Sequence, residues 1–83
     1  MNKITLKIEG MACNICEAHM NETVRKVIPE ARKVTSSFRK GETVFLVEGE
    51  IDRNKLISAI DATGYTCREI ISEPYKKKGL FGL

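Results

Sequence analysis

The hydrophobic residues of this chain change their period along the sequence, and the order of those changes leaves few folds open. Ile4-Thr5-Leu6-Lys7-Ile8 alternates strictly, as a half-buried strand does. Gly10 breaks the alternation and opens a loop, Met11-Ala12-Cys13-Asn14-Ile15. From there Cys16, Met20, Val24 and Val27 recur at helical spacing, with Glu17, Asn21, Glu22, Arg25 and Lys26 on the other faces. That pattern predicts an amphipathic helix of about three turns. Glu17 in its first turn and Arg25 and Lys26 in its last suit the helix dipole, and Pro29 stops it. Two β-rich runs, 31–38 and 42–48, joined by Arg39-Lys40-Gly41, read as a hairpin. In the second run, Thr43-Val44-Phe45-Leu46-Val47, β-branched and aromatic residues mark the better buried strand, with Phe45 and Val47 expected inward. Asp52 is placed to cap a second helix that carries Leu56, Ile57, Ala59 and Ile60, and Gly64 stands where a left-handed residue ends it. A last strand is expected over 65–72, with Pro74 ending it.

In 83 residues the order β-α-β-β-α-β has one natural closure. It is an α+β, ferredoxin-like sandwich with two helices on one face of a four-stranded antiparallel sheet. So small a domain commits most of its apolar residues to packing. The architecture hosts many functions, so function has to be read from a site. Residues 1–73 are expected to form the domain and 74–83 a tail. Lys76-Lys77-Lys78 in that tail reads as a solvated run, against a docking segment or the start of a linker.

Several function classes drop out on composition. With 42% hydrophobic and 30% charged residues the chain is an ordinary globular mixture. A net charge of +3 is too balanced to imply nucleic acid, and the few aromatics do not interleave with the basic residues as a base-stacking platform would. No apolar run approaches the roughly 20 residues of a membrane span. Lys3 and Lys7 interrupt the N-terminus, unlike a signal peptide. A cytoplasmic setting is expected, with no membrane insertion. No paired carboxylates, Ser-His-Asp set or phosphate loop is visible, so a binding module is expected rather than an enzyme.

What remains is a C-x-x-C, Cys13 and Cys16, at a loop-to-helix junction. Free backbone N–H groups and the helix dipole favour the thiolate there. Two thiolates without a hard ligand beside them suit a soft ion such as Cu(I), whereas Zn(II) usually takes four ligands, or three and a water. Three cysteines and one histidine in the chain make a closed zinc site strained. Two other readings stay open at this point, a thioredoxin-like redox pair and a pair of bystander thiols.

The stretch Gly10-Met11-Ala12-Cys13-Asn14-Ile15-Cys16 resembles the G-M-x-C-x-x-C motif of the heavy-metal-associated domain family. That family includes copper chaperones, N-terminal modules of metal-transporting P-type ATPases, and mercury-binding proteins. The resemblance covers about residues 3–72 and extends to Lys55-Leu56-Ile57-Ser58-Ala59-Ile60-Asp61-Ala62-Thr63-Gly64-Tyr65. It implies a soluble copper chaperone that binds Cu(I) through Cys13 and Cys16 and passes it on by thiolate exchange. The implied acceptor is a copper-transporting P-type ATPase or another cysteine-pair metal protein, and a Cu(I)-bridged homodimer is a further implied partner. Met11 is implied to be an apolar support rather than a ligand. Tyr65 matches a position where bacterial copper chaperones of the family often carry tyrosine. Ala12 stands where zinc- or lead-tuned members often carry an acidic residue, which weakens a divalent reading. The alternatives are a P-type ATPase module, against which Met1 and the short tail speak, and a detoxification protein binding Hg(II), Zn(II) or Cd(II).

Two further residues invite a metal role. His19 lies three positions after Cys16 but at the edge of the inner stripe, and is expected to face solvent. Cys67 departs from the family pattern. Free cysteine is among the most buried residue types, so a small core residue is expected rather than an auxiliary thiolate.

Overall fold

Six elements form in the predicted order: β1 (Asn2–Glu9), α1 (Asn14–Val27), β2 (Arg32–Ser37), β3 (Glu42–Val47), α2 (Arg53–Ala62) and β4 (Thr66–Pro74). The computed structural model describes residues 1–75, so the tail reading of Lys76–Leu83 lies outside the described residues. The four strands make one antiparallel sheet in the order β2-β3-β1-β4. This is the ferredoxin-like closure expected from the element order.

The alternation of β1 decides which face is covered. Ile4, Leu6 and Ile8 are buried, and in the ladder Asn2, Ile4 and Leu6 stand opposite Val47, Phe45 and Thr43. Met20, Val24 and Ile28 from α1 and its end, and Leu56 and Ile60 from α2, close over that face to complete one core. Phe45 and Val47 point inward as expected, and Leu46 is buried as well, on the other face, with Lys3 and Arg32 opposite it in the two ladders. Thr43 is the one buried polar residue among those described. A buried hydroxyl needs a partner, and Thr43 finds one in Ser36 (2.8 Å), whose hydroxyl in turn donates to Asn21 on α1 (2.6 Å).

The caps follow the sequence. Asp52 Oδ1 accepts the Lys55 N–H (3.1 Å) at the start of α2. Gly64, at φ +95°, follows its end and donates its N–H to the Asp61 carbonyl (3.0 Å). Beyond it, a bulge sets Ile8 opposite Cys67 and Lys7 opposite Glu69, leaving Arg68 unopposed. Arg68 pairs instead with Glu9. Among the described residues no helix is long and apolar enough to cross a membrane.

Candidate metal centre

The loop between β1 and α1 is made by two backbone features. Gly10 sits at φ +108°, a region that side-chain-bearing residues rarely adopt, and a Cβ there would lie 3.1 Å from Tyr65 Cδ1. Glycine thus allows Tyr65, just before β4, to close against the loop. Met11 then turns inward and packs, half-buried, on the core, where a flexible apolar chain suits an irregular gap. Ala12 and Cys13 are exposed.

Cys13 is the N-cap of α1, in an extended conformation (φ −160°, ψ 176°). Its carbonyl accepts the N–H groups of Cys16 (3.1 Å) and Glu17 (3.3 Å). Its side chain makes no capping bond, so the sulfur is left over. The first helical turn brings Cys16 back beside it, with the two Sγ atoms 3.7 Å apart. Cys13 is exposed and Cys16 half-buried, both as free thiols. Ile15 between them is 66% exposed.

The surroundings favour a thiolate at Cys16. A backbone hydrogen bond from Ala12, then the hydroxyl of Tyr65, then Cys13, bring its pKa down to about 7 against an opposing effect of burial. The reciprocal effect raises the pKa of Tyr65, because its proton is held by Cys16 and the thiolate charge stands nearby. A substantial share of Cys16 is therefore ionised at neutral pH, the form that acts as nucleophile and metal ligand.

His19 is exposed on α1, as expected. Cys67 is half-buried rather than enclosed. It packs against the margin of the core because β4 is an edge strand, and its thiol contacts the Glu69 carbonyl at 3.7 Å. Burial pushes its pKa up, the opposite of Cys16. Among the described residues no three His, Cys, Asp or Glu side chains converge to form a three-ligand metal site, so neither His19 nor Cys67 joins the pair. A contact that the sequence did not reveal lies on the other side of Cys16, where Glu17 Oε2 accepts the Phe38 N–H (2.9 Å).

No family model matches the sequence. Over 70 residues, 84% of the chain, it is 39% identical to mercuric reductase from Lysinibacillus sphaericus, and it spans only 12% of that protein's length. Among solved structures, the N-terminal domain of ZntA in its Zn(II) form matches with a TM-score of 0.70 at 24% identity, over 92% of this chain and 97% of that one. The CopZ metallochaperone matches with a TM-score of 0.68 at 16% identity, over 80% and 98%. At these identities the two structures speak to the fold. Together with the sequence relative and the G-M-x-C-x-x-C loop they place the chain: it belongs to the heavy-metal-associated domain family.

Proposed function

We propose that Cys13 and Cys16 bind a soft, two-coordinate metal ion and hand it to a thiol-bearing acceptor by ligand exchange. The observation that carries this reading is the pair itself: two sulfurs 3.7 Å apart at an exposed loop, without a third ligand among the described residues. A metal held linearly between two thiolates separates them by roughly 4.6 Å, taking the zinc–thiolate bond of about 2.3 Å as a guide. The pair thus has to open by about 1 Å, which Cys13 on its exposed loop supplies while Cys16 stays in the helix. An incoming thiolate adds to the metal to give a three-coordinate intermediate, and one original thiolate then leaves. No metal–sulfur bond need break before another forms. Cys13, the more exposed sulfur, is the ligand that an acceptor reaches first.

Two soft ions fit this chemistry. Cu(I) is the ion expected from the sequence, and Tyr65 against the pair supports it. Hg(II) gains support from the mercuric reductase relatives, and on that ground we place it beside Cu(I). The acceptor is a cysteine pair on a metal-transporting P-type ATPase or on a longer metal-processing protein like those relatives. Zn(II) and Cd(II) are disfavoured, because Ala12 offers no oxygen ligand and no third His, Cys, Asp or Glu converges on the pair among the described residues. Anaerobic titration of reduced protein with each ion against a competing chelator tests the reading. One ion per chain is expected, with tight binding lost in Cys13→Ser and in Cys16→Ser while the fold persists. Undiminished affinity in the double variant would contradict it.

A further inference from the structure

We propose that Glu17 is a positioning residue for the cysteine pair: by accepting the Phe38 N–H, its carboxylate anchors the first turn of α1, the turn that carries Cys16. The inference rests on the reading of Cys13 and Cys16 as metal ligands and adds to it the device that holds one of them in place.

The first turn of α1 needs an anchor, because the usual two are missing. A helix start is ordinarily fixed by a side-chain cap to a free N–H, and Cys13 makes none. Otherwise it is fixed by core packing, but Asn14, Ile15 and Ala18 are exposed and the first buried residue of α1 is Met20. Cys16 and Glu17 are the half-buried residues of that turn. Cys16 meets the Tyr65 hydroxyl through its reactive sulfur, whereas Glu17 ties the turn to a backbone group, accepting the Phe38 N–H at the tip of the β2–β3 hairpin in a bond 2.9 Å long.

The tip is itself held. Gly41 donates no side chain that would intrude, and its carbonyl accepts the Ile8 N–H at 2.7 Å. A Cβ on Gly41 would lie 3.1 Å from the Ile8 carbonyl oxygen, and its φ is +66°. Ile8 belongs to β1, two residues before Gly10. Glu17 thus ties the turn bearing Cys16 to a hairpin tip that is bonded back to the strand leading into the loop. The result is an asymmetric pair, with Cys16 on an anchored turn and Cys13 on the free loop. Groups that orient metal ligands from behind typically contribute 10–100-fold to metal affinity.

Two substitutions separate reach from charge. Glu17→Gln keeps an oxygen at the same distance and loses the charge; Glu17→Asp keeps the charge and is one methylene too short to reach Phe38. In anaerobic Cu(I) competition titrations, Glu17→Asp is expected to bind at least about tenfold more weakly, and Glu17→Gln within about threefold of the parent. In the metal-free protein, alkylation followed by peptide mass analysis should show Cys16 reacting faster in Glu17→Asp, with its rate restored in Glu17→Gln and the rate of Cys13 unchanged in both. Weaker binding in Glu17→Gln with parent-like binding in Glu17→Asp would mean that charge, not the hydrogen bond, matters, and would overturn the proposal; so would equal losses in the two variants, which reach does not explain, or parent-like behaviour of Glu17→Asp in the alkylation assay. The Cys13→Ser/Cys16→Ser variant titrated alongside marks the separate failure, since parent-like binding there removes the cysteine reading whatever Glu17 does. The alkylation rates test the positioning role without metal.

Discussion

Alanine at Gly10 strikes both supports of the metal loop at once. The residue sits at φ +108°, and holding a side-chain-bearing residue in so sparsely populated a region costs about 1–3 kcal/mol. The new Cβ would lie 3.1 Å from Tyr65 Cδ1, with the Tyr65 Cα 3.7 Å away. The backbone cannot yield, so the ring must swing, at about 0.5–1.5 kcal/mol for an off-rotamer side chain. Together these give a loss of about 2–4 kcal/mol, a large part of the 5–15 kcal/mol typical of a domain. The melting temperature should fall on the order of 10–30 °C. Gly49→Ala is the control, because Gly49 also has a positive φ (+79°) but nothing within 4 Å of its Cβ, so it carries the strain alone. The swing of Tyr65 should also lift its hydroxyl from Cys16 and raise that thiol above about 7, in Gly10→Ala and not in Gly49→Ala. Guanidinium unfolding gives the first quantity and the pH dependence of Cys16 alkylation the second. If Gly10→Ala is no less stable than Gly49→Ala and Cys16 titrates as in the parent, the close approach of Tyr65 does not shape the loop.

Tyr65→Phe removes the hydroxyl alone, so the Cys16 midpoint should rise above about 7. Because the folded thiol ionises more readily than the unfolded one, that contribution is present at high pH and is lost as pH falls through about 7; Tyr65→Phe should flatten this part of the profile of unfolding midpoint against pH, and an unchanged profile would count against the contact. Met11→Leu keeps volume and removes the thioether, costing less than ~1.5 kcal/mol and leaving metal affinity unmoved; a large loss of affinity with the fold intact would make Met11 a ligand. Cys67→Ala should cost about 1 kcal/mol or less at its half-buried edge position and leave affinity unchanged. Metal should protect Cys13 and Cys16 from alkylation but not Cys67, and protection of all three would bring Cys67 into the site.

The element order was legible because each segment carries its period openly, and the punctuation agrees: Gly10, Pro29, Gly41, Asp52 and Gly64 all fall at element boundaries. The C-x-x-C was legible as a local motif, and its geometry follows from one helical turn. Tertiary partners were less so. The Glu17–Phe38 bond joins residues 21 apart in sequence, and no periodicity encodes which backbone N–H a glutamate meets. The Asn21–Ser36–Thr43 chain had a faint signal, since period two places Thr43 on the same face as Phe45 and Val47, where a hydroxyl must be satisfied. Cys67 was expected to be enclosed because cysteine usually is. The sequence does not reveal that β4 is an edge strand, or that a bulge beside Cys67 disturbs its register. The choice of metal is the least legible feature, because two thiolates serve Cu(I) and Hg(II) alike.

X-ray absorption at the metal edge, on anaerobic protein loaded with one equivalent of Cu(I) or of Hg(II), tests the central claim most directly. The account predicts a first shell of two sulfurs with no oxygen or nitrogen for the preferred ion, and loss of that shell in the Cys13→Ser/Cys16→Ser variant. A shell containing nitrogen or oxygen, or one that survives in the double variant, would contradict it.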